Sequence, residues 1–361
     1  MLCRMTDSEL KVMPNKNFTA ETQSFRGVPQ SFLRAALRRL CVSAVKTLLL
    51  KHYQIIFCIT LLLFVTLPLF AQKPVRILVK NQPKVLSFVP KSLDERIKAA
   101  LEDFRGNAWI YAKNLDTGKD FAFRADEQVR TASTIKLPIM TEVFAQVSEG
   151  KRKWTDEITL TKQNRFGGSG VLGEFSDGTK IDLKTATNLM IVVSDNTATN
   201  LILDLITADA VNARMDALGL KQTRSLGKIG GGGRSKAWDE PLYKVFGIGA
   251  SSPRDMVRLL EMLEKGEVVN KQSSADMIAI LRRQQYGEGI GRGLLDSVPS
   301  ASKSGALDRL RSDVGIIYTR RGRIAMAITL DDMPTVHYSQ ENPGLAMLWR
   351  LSQILQEGLA K

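Results

Sequence analysis

The chain holds only two histidines and three cysteines in 361 residues. All the cysteines (Cys3, Cys41 and Cys58) and one histidine, His52, precede residue 72, which leaves His337 as the one histidine beyond it. The remainder therefore cannot form a disulfide, even where the surroundings would permit one. It cannot assemble a His/Cys metal cluster either. No clustered carboxylate spacing replaces one, so neither metal nor cofactor is expected. A Ser-His-Asp triad would have to be built on His337 alone. Long apolar runs are scarce as well: Ile55–Leu67 has 13 residues, whereas a spanning helix needs about 20.

That run follows Lys46 and Lys51 and ends in Pro68-Leu69-Phe70-Ala71-Gln72, the pattern of a signal-peptide core with cleavage after Ala71. An uncleaved anchor is the other reading. The expected organisation is a basic extension over 1–46, which a misassigned start codon would explain. A signal peptide over 47–72, a linker over 73–90 with Pro74, Pro83 and Pro90, and one large domain over 91–361 follow. Export to the periplasm or beyond is the expectation, with the leader as the one membrane element. Net charge is +14, of which +6 lies in residues 1–72. The remaining +8 has no basic run and no aromatic interleaving, which argues against nucleic acid and suits an anionic small substrate or envelope surface. No helical seam points beyond a monomer.

Beyond the linker, Leu93, Ile97, Ala100, Leu101 and Phe104 recur at helical spacing. Asn107–Leu115 and Phe121–Arg124 flank Asp116-Thr117-Gly118 as a hairpin. Helices are expected from about Ser133 and over about 183–193, 196–206, 209–218, 253–265, 273–284 and 343–359. Val314–Tyr318 and Arg323–Leu330 are β-rich. Strands at both ends with helices between them predict an α+β fold: an antiparallel sheet built from both ends of the domain, plus an inserted helical lobe.

Three short motifs stand out in order: Ser133-Thr-Ile-Lys136, Ser194-Asp195-Asn196 and Lys303-Ser304-Gly305. The first alone says little, since Ser-x-x-Lys starts at six places in the chain and about one or two are expected by chance. Ser-Asp-Asn is far scarcer, so the ordered set carries the weight. Each motif has a plain structural reading: a helix cap with a solvated lysine, an N-cap and a β-turn. The chemical reading puts Ser133 in a first helical turn with Lys136 on the same face. A desolvated lysine there can act as base for a serine nucleophile, and the helix N-terminus favours a developing oxyanion.

These motifs resemble class A β-lactamases and their penicillin-binding relatives, a motif set that is a standard example of the family. The resemblance runs over about Leu93–Leu359 and includes Thr131–Pro138, Val193–Leu201 and Lys303–Ala306. It implies a β-lactamase/transpeptidase-like fold and an acyl-enzyme on Ser133, formed from a β-lactam or a cell-wall peptide. By the same resemblance Lys136 partners Ser133, Ser194 shuttles a proton and Asn196 contacts the substrate amide. Lys303 and Ser304 recognise a carboxylate, Gly305 allows close approach, and the N–H groups of Ser133 and Ala306 form the oxyanion hole. The implied activity is β-lactam hydrolysis of class A type, with a penicillin-binding D,D-peptidase or slowly deacylating relative as the alternative. The two differ in the glutamate that activates the deacylating water. Its best local match is Glu240 in Trp238-Asp239-Glu240-Pro241, but Gly230–Gly233 precedes it as an insertion and no Asn follows. Two readings of Glu240 stay open, a deacylation base and a surface loop carboxylate. Arg309 and Arg311 are candidates for a further cation.

Overall fold

The computed structural model describes residues 92–294 and 298–360; the extension, leader, Ala71 and linker read from the sequence lie outside them. Helix α1 (Leu93–Leu101) starts at a reciprocal cap, with Glu95 N–H donating to Ser92 Oγ and Ser92 N–H to the Glu95 carboxylate. Strands β1 (Asn107–Asn114) and β2 (Asp120–Phe123) form the hairpin expected around Asp116-Thr117-Gly118. Gly118 takes φ +79 there, a value that suits a residue without Cβ.

After the short strand β3 (Val129–Arg130) the chain enters its long insertion. Helix α2 (Lys136–Ser148) is followed by the small ribbon β4 (Glu157–Thr159) and β5 (Lys180–Asp182). Helices α3 (Leu183–Val192), α4 (Asn196–Ile206) and α5 (Ala208–Ala217) come next. Strands β6 (Arg224–Ser225) and β7 (Gly249–Ser251) pair with each other, and β7 also pairs with β3. The inserted segment is thus chiefly helical but carries two small sheets. Helices α6 (Pro253–Lys265) and α7 (Lys271–Leu281) complete it.

Strands β8 (Ser300–Leu307), β9 (Leu310–Thr319) and β10 (Gly322–Asp331) run as a meander, and α8 (Pro343–Leu359) closes the domain. The main sheet has the order β2-β1-β10-β9-β8, all neighbours antiparallel. It is built from both ends of the domain, because β1 pairs with β10 along its whole length, from Asn107↔Asp331 to Asn114↔Ile324.

Both faces of this sheet are buried, and for that reason its central strands read as continuous apolar runs rather than alternating ones. Ile110, Ile317, Ile324, Met326 and Ile328 pack with Ile97 of α1 and Leu348, Leu351 and Leu355 of α8. Tyr111, Val314, Ile316, Ala325 and Ala327 face the other way, onto the core of the inserted helices. Strand β8 is an edge strand, and it carries the third motif.

Candidate active site

The turn that carries Ser133 is fixed from behind. Thr131 donates through both its N–H (3.1 Å) and Oγ1 (3.0 Å) to the carbonyl of Gly249 on β7, and Thr134 Oγ1 donates back to the Thr131 carbonyl at 2.8 Å. Residues Ala132–Ile135 form a 3-10 turn and the α-helix begins only at Lys136, one turn later than the sequence predicts. Pro138 therefore sits where the N–H groups have no intrahelical partner. Ala132 has φ +47, a conformation that non-glycine residues adopt at a cost and that recurs at functional sites.

Lys136 is completely buried. Its Nζ donates to the Ser194 carbonyl at 2.6 Å and to Asn196 Oδ1 at 2.9 Å, and lies 3.1 Å from Ser194 Oγ. Burial pushes its pKa well below the ordinary lysine value, the charge of Lys303 pushes the same way, and Asp195 opposes both. A neutral amine has two N–H donors and one lone pair, which matches two acceptors and one hydroxyl. Ser194 likewise takes a positive φ, +52.

Asp195 is structural. Its Oδ1 accepts from Ala198 N–H as the cap of α4, while Oδ2 accepts from Val171 and Leu172 N–H at 2.7 Å. The Gly167–Gly170 loop is thereby clamped over the second motif, and Gly170 packs so tightly on Asp195 that a Cβ would collide. Asn196 Nδ2 donates to the Gly167 carbonyl at 2.9 Å, so its amide holds Lys136 on one side and the loop on the other.

From the opposite wall comes β8. A Cβ on Gly305 would lie 2.8 Å from the Thr131 carbonyl and 3.1 Å from Ser133 N, so the close approach of this strand requires glycine. Lys303 is fully buried and donates to the Ser304 carbonyl at 2.8 Å. Burial brings its pKa down to about 7 against the attraction of Asp313. Ser304 Oγ donates to Gln284 Oε1 at 2.9 Å, and Gln284 Nε2 bonds Ser302 Oγ at 2.8 Å.

Ser133, Ser194, Asn196, Ser304, Gly305 and Ala306 line one cavity of about 420 Å³. Residues without a sequence motif also line it, among them Tyr286, Glu288, Asp313 and Tyr338. Ser169 was marked only by its glycine-rich loop, and Arg311 only as a candidate cation. Arg311 lines the cavity while donating to the carbonyls of Leu307, Leu310 and His337. Arg309 is turned to the carbonyls of Met333 and Asp332.

Arg309, Glu240 and His337 stay outside the cavity, and Lys136 and Lys303 are buried and not among its lining residues. Glu240 is exposed between two 3-10 turns, Lys236–Asp239 and Pro241–Val245, and does not line the cavity. Of its two sequence readings, the location is that of a surface loop carboxylate. The ring of His337, the one histidine among the described residues, bonds Ser339 Oγ at 2.9 Å and does not line the cavity. Among the described residues no group of three or more His, Cys, Asp or Glu could hold a metal ion.

Solved structures with this architecture include the beta-lactamase from Sphaerobacter thermophilus, 30% identical, covering 74% of this chain and 96% of that one at a TM-score of 0.65. PBP-A, solved as a point mutant in an acyl-enzyme complex with penicillin G, is 25% identical over 73% of this chain and 94% of that one, at a TM-score of 0.63. The class A beta-lactamase from Mycobacterium abscessus shares the fold at 18% identity, covering 73% and 98% with a TM-score of 0.64. No curated protein matches the chain. The model of the beta-lactamase enzyme family matches residues 92–358, the span that carries both buried lysines, Ala132, Ser194 and the edge strand. The chain belongs to that family.

Proposed function

We propose that Ser133 is acylated by β-lactams, with Lys136 as the base, and that the acyl group is released slowly. The observation that carries this reading is Lys136: fully buried, bonded to the second motif and depressed in pKa by burial, it is suited to take a hydroxyl proton. Ser194 Oγ, 3.1 Å from that amine, is suited to pass the proton to the leaving nitrogen. Asn196 lines the cavity for a substrate amide, and the N–H groups of Ser133 and Ala306 would hold the oxyanion. Ser304, with Lys303 behind it and Arg311 beside it, makes a wall suited to a substrate carboxylate.

The position of Glu240 supports slow release: exposed and outside the cavity, it is not placed to activate a water at Ser133. The acyl-enzyme complex of PBP-A with penicillin G supports a covalent adduct as the resting product. Acylation by a cell-wall peptide would use the same atoms. Full hydrolytic turnover of class A type is the second reading, favoured by the 30% identity with a beta-lactamase. The leader read from the sequence would deliver the enzyme, as a monomer, to the compartment where cell-wall peptides are found. Time-resolved mass spectrometry with a penicillin tests the choice. A persistent adduct, absent in Ser133→Ala, supports slow release; a fleeting adduct with rapid loss of substrate supports turnover, and no adduct overturns both.

A further inference from the structure

After α7 the chain runs through Gln284-Gln285-Tyr286, three residues that belong to none of the motifs. Gln285 N–H donates to the Val192 carbonyl at 3.0 Å and the Tyr286 hydroxyl donates to the Val193 carbonyl at 3.3 Å, which ties the segment to the backbone just ahead of Ser194. Gln284 is tied instead to the edge strand. Its Nε2 donates to Ser302 Oγ at 2.8 Å, and its Oε1 accepts from Ser304 Oγ at 2.9 Å. Ser302 and Ser304 share one face of β8, and Lys303 between them belongs to the other. Ser304 lines the cavity, whereas Gln284 and Ser302 do not, so Gln284 acts on a ligand there through Ser304.

A serine hydroxyl has one hydrogen and two lone pairs. The hydrogen of Ser304 is spent on Gln284, so this hydroxyl shows the cavity lone pairs only. A carboxylate set against them meets acceptor against acceptor. The amide of Gln284 resolves this without losing a bond, because its oxygen and nitrogen ends are nearly the same shape. Turned over, Nε2 donates to Ser304 Oγ and Oε1 accepts from Ser302 Oγ, and the Ser304 hydrogen is released toward the cavity. Either way the amide bonds the same two hydroxyls. Other donors on this wall are already engaged. Arg311 serves the carbonyls of Leu307, Leu310 and His337, and Tyr338 donates to Asp308 at 2.7 Å.

We propose that Gln284 is a positioning residue for substrate recognition: its amide holds the Ser304 hydroxyl and, by turning over, frees that hydroxyl's hydrogen for a substrate carboxylate. The inference rests on the reading of Ser133 as nucleophile and of Ser304 as a carboxylate contact. No covalent bond changes at Gln284. The consequence is selectivity, since a charged carboxylate rewards the turn with a charge-assisted hydrogen bond and an ester gains little from it.

Benzylpenicillin and its methyl ester differ only at that carboxylate. The ratio of their acylation rates at Ser133, followed by intact-protein mass spectrometry over a range of concentrations, reads the recognition directly. The unaltered protein should prefer the acid. Gln284→Met keeps the length of the side chain and removes both hydrogen bonds, and the acid-to-ester ratio should fall by about fivefold. The loss should appear in the concentration that gives half-maximal acylation and not in the limiting rate. In Gln284→Glu the side chain accepts from both hydroxyls and has no N–H to give, so the ratio should fall by about tenfold or more. In a Ser304→Ala background, Gln284→Met should leave the ratio where Ser304→Ala alone puts it, a non-additivity that a merely structural role of Gln284 does not produce. Equal rates for acid and ester in the unaltered protein, an unmoved ratio in Gln284→Met, or a further fivefold fall in the Ser304→Ala background would each overturn the role of Gln284 while leaving Ser133 as nucleophile. Absence of any adduct with either compound would overturn the reading of Ser133, and this proposal with it.

Discussion

Lys136 Nζ donates to the carbonyl of Ser194 at 2.6 Å and lies 3.1 Å from its hydroxyl, joining the first and second motifs through a fully buried amine. The contact spans 58 residues of sequence. Lys136→Ala should leave a folded protein, because the helix tolerates alanine, and should slow acylation of Ser133 by about 10³-fold. Stopped-flow acylation with a fluorescent penicillin, alongside circular dichroism, measures both.

Gly305 sets how near the edge strand comes to Ser133. In Gly305→Ala the new methyl would stand 2.8 Å from the Thr131 carbonyl and 3.1 Å from Ser133 N, so either the strand or the turn must retreat. Acylation should fall by about 10²-fold, the scale of a displacement near 1 Å. The unfolding midpoint should change far less, since an edge strand can give way toward solvent.

Asp195 answers three N–H groups, the part-buried one of Val171 and the buried ones of Leu172 and Ala198. Asp195→Ala leaves all three unsatisfied and should destabilise the domain by about 3 kcal/mol or more, read from urea unfolding. A loss below about 1 kcal/mol would mean that the loop over 166–172 does not depend on this clamp.

Stability should depend on pH through the buried groups, with opposite signs on the two sides of neutrality. Lys303 titrates at about 7 when folded and at 10.5 in an unfolded chain, so the unfolded state holds more protons between those values and stability rises with pH there. Lys136 adds in the same sense. Asp313, raised by burial from 3.8 to about 7, contributes stability that is present below 3.8 and lost as the pH climbs to about 7. Urea midpoints across this range should therefore pass through a shallow minimum near neutrality, and Lys303→Met should flatten the upper limb.

Much of this was legible in the sequence wherever the signal was local. The capped α1, the hairpin at Gly118 and the helix after Ser252-Pro253 each announce themselves through residues within one turn of the feature. The three motifs were legible as an ordered set, and the structure brings Ser133, Ser194, Asn196 and Ser304 to one cavity. What stayed hidden is made by long-range pairing. Nothing marks Asp313, just ahead of the β-rich run Val314–Tyr318, and only the register with β8 sets it opposite Ser304. Gln284 is likewise an ordinary residue after a helix until Ser302 and Ser304 meet it. Glu240 shows the reverse failure: a local likeness around Trp238–Pro241 said nothing of which way the loop faces.

The proposed slow release of the acyl group is tested at Glu240. Because Glu240 is exposed and outside the cavity, Glu240→Gln should leave deacylation within about twofold of the unaltered protein, as for surface substitutions generally. Loss of the adduct's intensity over time, compared between the two proteins, measures this directly.

The central claim is a Ser133 adduct formed with Lys136 as the base, and intact-protein mass spectrometry during exposure to benzylpenicillin tests it most directly. The expected result is a single, persistent adduct mapped to Ser133, absent in Ser133→Ala and about 10³-fold slower to form in Lys136→Ala. An adduct that forms at full rate in Lys136→Ala, or that survives in Ser133→Ala, would contradict it.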